Sequence, residues 1–135
     1  MDRCKVLIVD ENIQVRRLVK AILAGIPGAE VCECADGDSA IALAAYWAPD
    51  AALVDYETRP MSGVVFTEKV RSGKTPLPSD LPIVMMTELA DDVRMARVRT
   101  AGADAVLVKP LLAAAVVDRL QQMLRAPPMR QAAAG

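Results

Sequence analysis

Apolar residues along this chain gather in short unbroken runs, and between the runs the periodicity changes. VLIV, AALV and IVMM show no polar alternation, the pattern of strands covered by helices on both faces of a parallel sheet. Five strands are predicted near 4–9, 30–34, 51–54, 82–86 and 104–108. The intervening segments repeat at helical spacing. Val15, Leu18, Val19, Ile22 and Leu23 form one apolar stripe, and Leu112, Val116, Leu120 and Leu124 form another. Asp36 or Asp38 is suited to cap the second helix, which is expected to run through alanines to Trp47 and stop before Pro49. Ser62 is placed to cap the third, and Ala90-Asp91 to open a fourth that ends at Gly102.

Strand and helix therefore alternate through the whole chain. Such alternation builds right-handed crossovers and a doubly wound parallel sheet. For five strands the expectation is an α/β fold with flavodoxin-like order 2-1-3-4-5, with its switch point between the first and third strands. At 135 residues one domain is expected, over 1–125, followed by a frayed tail APPMRQAAAG at 126–135. A Pro/Ser-rich loop, SGKTPLPSDLP, precedes the fourth strand and reads as a surface insertion or as a partner or dimer surface.

Composition narrows the function. Hydrophobic residues make up 53% and charged residues 24%, a globular balance. A net charge of -1 provides no basic footprint for nucleic acid and no polybasic membrane anchor. The apolar runs fall far short of the ~20 residues needed to cross a bilayer. Cysteine occurs three times and histidine never, which excludes Ser-His, Cys-His and His-metal chemistry and points to a reducing, cytoplasmic setting. Cys32 and Cys34 share a strand face as plain thiols.

The chemistry lies at the strand ends, which converge on one crevice in such a sheet. Asp10 and Glu11 follow KVLIV, Asp55 follows AALV, Thr87 follows IVMM, and Lys109 follows VLV. Crowded carboxylates repel unless a cation is present, and Mg²⁺ with its preference for oxygen ligands suits them. Asp55, on the middle strand, is the natural nucleophile toward an activated phosphoryl group, with Lys109 and Thr87 as donors to phosphate oxygens.

These motifs together resemble the receiver domain of bacterial two-component response regulators over roughly residues 4–125: VLIVDEN, ADGDSAIALA, LVDYETRPMSG with its glycine eight residues after Asp55, PIVMMT and AVLVKPL. The resemblance implies that Asp55 takes a phosphoryl group from a phosphohistidine on a sensor histidine kinase or histidine phosphotransfer protein. It implies Mg²⁺ held by Asp10, Glu11, Asp55 and the backbone carbonyl of Glu57. Thr87 and Lys109 would then contact the phosphoryl group, and Lys109-Pro110 can adopt the cis peptide common in the family; Ile13, just after the acidic pair and off the main apolar stripe, is a candidate contact for the kinase. The chain is expected to act as a stand-alone receiver that binds a downstream protein and catalyses at most its own phosphorylation and dephosphorylation.

Four positions depart from the family pattern. The acidic pair is Asp-Glu, Arg59 stands where a proline is usual with Pro60 displaced by one, Glu57 adds charge, and Val106 replaces the usual aromatic. They keep alive a receiver-like interaction module that works without phosphorylation. A haloacid-dehalogenase-type phosphohydrolase is a further alternative, since DYET faintly echoes its Asp-x-Asp motif. Arg94, Arg97 and Arg99 read as a solvated helix face.

Overall fold

The computed structural model describes residues 3–125; the expected tail lies outside them. Five parallel strands, β1 (Cys4–Val9), β2 (Ala29–Cys34), β3 (Ala51–Asp55), β4 (Ile83–Thr87) and β5 (Ala105–Val108), stand in the order β2-β1-β3-β4-β5. Five helices alternate with them: α1 (Ile13–Ala24), α2 (Gly37–Leu43), α3 (Gly63–Arg71), α4 (Asp92–Ala101) and α5 (Ala113–Arg125). The order is the flavodoxin-like one, and each predicted strand is present to within a residue at either end.

Side chains alternate across each strand, so the runs divide between two cores. Leu7, Val9, Ala52, Val54, Ile83 and Met85 pack with Ala40, Phe66, Val70 and Val98 on the face covered by α2, α3 and α4. Val6, Ile8, Ala51, Leu53, Val84 and Met86 pack with Val19, Leu23, Val116 and Leu120 under α1 and α5. Both faces are covered, which is why the sequence could use continuous apolar runs.

The helix caps follow local chemistry. Asn12, Asp36, Ser62 and Asp91 each accept a backbone N–H with the side-chain oxygen, and Gly102 closes α4 at φ 99°. Asp36, not Asp38, caps α2. Replacing Asp36 with alanine is expected to lose ~1 kcal/mol in urea unfolding at neutral pH. The Ser39 backbone hydrogen bond, with smaller help from other bonds, holds the Asp36 carboxyl below its ordinary 3.8, so this contribution is present above that value and fades as pH falls through the lowered one. A deficit that persisted undiminished in acid would show that the carboxylate is not its source.

Several expectations are corrected. α2 stops at Leu43, and a turn over residues 44–46 carries the chain toward Trp47. Leu18 and Leu112 are exposed, at 44% and 69%; the first lies at the edge of the α1 stripe and the second before α5 begins. The loop over 72–82 is mostly exposed but is anchored, because Leu77 and Leu81 are buried in the core cluster with Phe66 and Val70. Arg71 fastens it further, donating to the Ser79 and Gly102 carbonyls and pairing with Asp104 at 3.1 Å. All three cysteines are free; burial, then the neighbouring Cys32 and Asp36, pushes the Cys34 thiol up to about 11, where it is inert at neutral pH. Among the described residues no helix is long and apolar enough to cross a membrane.

Candidate functional site

Pairing of β1 with β3 sets Val9 beside Val54, so the next residues of each strand, Asp10 and Asp55, leave the sheet side by side. β4 ends at Thr87 beside Val108 of β5, and Lys109 follows at once, its N–H donating to the Thr87 carbonyl at 2.7 Å. Four separate strands thus deliver one cluster. Asp10, Asp55 and Thr87 are buried.

Lys109 organises the cluster. Its Nζ lies 2.8 Å from Asp10 Oδ2 and 3.1 Å from Asp55 Oδ1, bridging the two carboxylates. The second Asp10 oxygen accepts the Asn12 N–H, while Arg16 donates to the Asp10 backbone carbonyl. Burial, then the nearby Asp10 charge, raises the Asp55 pKa, and Lys109 opposes this only in part. For Lys109, burial pulls downward, but the bond to Asp10 and the charges of both aspartates outweigh it and leave the ammonium above its ordinary value. Lys109 is therefore charged at neutral pH, and one ammonium does not fully neutralise its two partners.

Above the bridge opens a cavity of about 290 Å³ lined by Asp10, Glu11, Asp55, Glu57, Glu88 and Arg94 among others. Five carboxylates thus face two cations, Arg94 and Lys109. Glu11 lies on the exposed rim, and among the described residues no three Asp, Glu, Cys or His side chains group tightly enough to hold a metal unaided. Ile13 is 45% exposed at the start of α1, beside this mouth.

The loop after Asp55 is pinned at its neck. Tyr56 donates its N–H to Met86 and accepts the Gly63 N–H on its carbonyl. Gly63 sits so close that a Cβ there would collide with the Asp55 carbonyl oxygen and lie 2.7 Å from Met85 Sδ. This contact is the physical reason for a glycine at that spacing. Within the loop the Thr58 hydroxyl donates to Met61, and Arg59-Pro60 is cis, as is Lys109-Pro110.

Arg94 is the residue that sequence reading misplaced. It is not on a solvated face: its Nη1 lies 2.6 Å from Glu57 Oε1 and 3.3 Å from Thr87 Oγ1, and its guanidinium stacks 4.5 Å from the Tyr56 ring centroid. Only its complementarity to Glu57 hinted at this. Val106 is partly buried against the core.

A family model for the response regulator receiver domain matches residues 6–121. The transcriptional regulatory protein LiaR of Bacillus subtilis is 30% identical over 92% of this chain and 57% of its own. SrrA of Staphylococcus aureus is 31% identical over 90% of this chain and 48% of its own. The chain spans about half the length of the curated relatives it matches. Among solved structures, the Vibrio cholerae chemotaxis protein CheY4 superposes with a TM-score of 0.82 at 31% identity, covering 90% of this chain and 99% of that one. The receiver domain of the sensor histidine kinase PA1611 from Pseudomonas aeruginosa, described with a magnesium ion coordinated in its active site cleft, gives 0.81 at 25% identity over 92% and 99%.

Proposed function

The chain belongs to the response regulator receiver domain family of two-component signalling, and from that premise we propose that Asp55 is its phosphoacceptor. The observation that carries this reading is the Lys109 ammonium bridging Asp10 and Asp55 on the floor of an open acidic cavity. Asp55 supplies the attacking oxygen. An O–P bond forms to its carboxylate as the P–N bond to a partner's phosphohistidine breaks, and the imidazole leaves with the bond's electron pair. Lys109, already charged, holds Asp55 in place and offers its protons to the incoming phosphoryl oxygens. Thr87, 0% exposed at the end of β4, turns its hydroxyl toward the same group.

The residues fit Mg²⁺. Two buried carboxylates sharing one ammonium match the one or two this ion takes, with waters and a backbone carbonyl to complete its shell. Asp10, Asp55 and the Glu57 carbonyl would hold it, with Glu11 reaching through water. When bound it neutralises charge on the transferring group. Ile13 at the mouth is a candidate contact for the kinase or phosphotransfer partner. The output is a shift between two conformations of the same fold, biased by the state of Asp55 and read by a downstream protein.

Intact-mass analysis after incubation with Mg²⁺ and acetyl phosphate tests this reading. One acid-labile phosphoryl group is expected on wild type and none on Asp55→Ala. Absence of an adduct, together with no beryllofluoride binding, would leave an interaction module that works without phosphorylation. Steady turnover of small phosphate esters would indicate a phosphohydrolase.

A further inference from the structure

Three segments meet at Arg94. Glu57 and Tyr56 belong to the loop after β3, Thr87 ends β4, and Asp91 caps the helix that carries Arg94 as its third residue. The Asp91 carboxylate takes the Arg94 backbone N–H at 2.8 Å and lies 3.9 Å from Nε, which directs the side chain back over the strand ends. α4 buries only Val98 and Ala101, both in its second half. Val93 is 63% exposed and Leu89, just before the helix, is 56% exposed. The first turn of α4 is thus held to the body by polar contacts, and Arg94 makes the most of them.

Thr87 shares those contacts. Its hydroxyl donates to the Leu89 carbonyl at 2.9 Å and accepts from the Leu89 N–H and from Arg94. A hydroxyl has one hydrogen and two lone pairs, so this group is saturated. It can donate to a phosphoryl oxygen only by releasing Leu89, and the same rotation turns its lone pairs away from Arg94. A phosphoryl group on Asp55 would also place a concentrated negative charge in the cavity that Arg94 lines. The guanidinium fork suits phosphate oxygens, whereas Glu57, with a side chain 52% exposed, is readily rehydrated when abandoned.

We infer that Arg94 is a two-position latch, clamping Glu57 and Thr87 while Asp55 is unmodified and passing to the phosphoryl group once Asp55 carries it, so that the head of α4 moves with it. The inference rests on the phosphoacceptor reading of Asp55. It makes Arg94 a positioning residue and gives Glu57 the task of retaining it in the resting state. The signal travels through α4's own first turn, with no part for Val106.

The test uses the full chain with Mg²⁺ and beryllofluoride as the phosphoryl mimic, binding being followed by the backbone amide signals of Asp55 and Lys109. The Arg94 Nε–H resonance, expected to be displaced by the ring current of Tyr56 4.5 Å away, is assigned by its loss in Arg94→Lys. Saturation is expected to shift that resonance and to change hydrogen exchange over residues 88–98 several-fold; Arg94→Ala should still bind the mimic, more weakly, but show the same exchange in both states. Glu57→Ala, which removes the latch's resting acceptor while keeping the backbone carbonyl, should move both readouts part of the way to their bound values before any mimic is added. A purely structural Arg94 would lower protection equally in the two states and preserve their difference, which overturns the latch. So does a Glu57→Ala protein with unchanged readouts, and that arm decides the matter if Arg94→Ala does not fold. Wild type that fails to bind the mimic overturns the phosphoacceptor reading, and the latch with it.

Discussion

Lys109→Met is expected to lose about 3–5 kcal/mol of folding stability at neutral pH, the range seen when one partner of a buried ion pair is removed. Methionine matches the stem, so packing changes little while the charge disappears. Asp10 and Asp55 would then face each other as carboxylates of 1% and 8% side-chain exposure with no cation between them. The Asp55 pKa is already raised by burial and by Asp10, and without Lys109 it rises further. A carboxyl with a raised folded pKa penalises the fold fully above that pKa, and the penalty disappears as pH falls below the unfolded value. The variant's deficit should therefore shrink as pH is lowered from 7 toward about 4, the ordinary carboxyl value. At the opposite end, the raised Lys109 pKa means that the wild-type bridge persists through neutral pH and is lost only as pH climbs past that raised value. Urea unfolding of both proteins at several pH values measures this. A deficit independent of pH would assign it to packing; one that Mg²⁺ reduces would show a cation replacing the missing ammonium.

Gly63→Ala should cost about 2–3 kcal/mol, near the top of the range for overpacking, because its obstacle is backbone. The added methyl collides with the Asp55 carbonyl oxygen and lies 3.0 Å from the carbonyl carbon. By contrast, a methyl at Gly37 meets the Phe66 and Met61 side chains, which have rotamers to yield with. Relief at position 63 requires α3 to tilt away or Asp55 to shift, and either displaces the residue proposed to accept phosphate. Thermal unfolding and the rate of acetyl-phosphate labelling should both suffer. Unfolding at the wild-type temperature with full labelling would show that α3 moves freely, contrary to its tight packing.

The frame of the molecule was legible because its physics is local. Unbroken apolar runs mark strands buried on both faces, and their ends bring Asp10, Asp55 and Lys109 into one ion-paired cluster, with Thr87 at the end of the neighbouring β4. What escaped depended on distance in sequence. Leu77 and Leu81 read as loop residues in a Pro/Ser-rich segment, yet they fill core space beside Phe66 that only the tertiary fold creates. Arg94 shares its helix with Arg97 and Arg99, and periodicity alone gives no reason to separate them. Its partner Glu57 lies far away in sequence, and the pairing exists because β3 and β4 are neighbours in the sheet. Leu18 failed in the other direction, since an apolar stripe says which residues lean inward but not how wide the covered band is.

The bond from the Gly63 N–H to the Tyr56 carbonyl closes the loop at its neck and isolates its tip from Asp55. Beyond the neck Arg59 and Pro60 are exposed, whereas Thr58 and Met61 are buried, so the two exposed positions can change without pulling on Asp55. The chemistry of the loop's tip can therefore vary while the Asp55 carboxylate keeps its place.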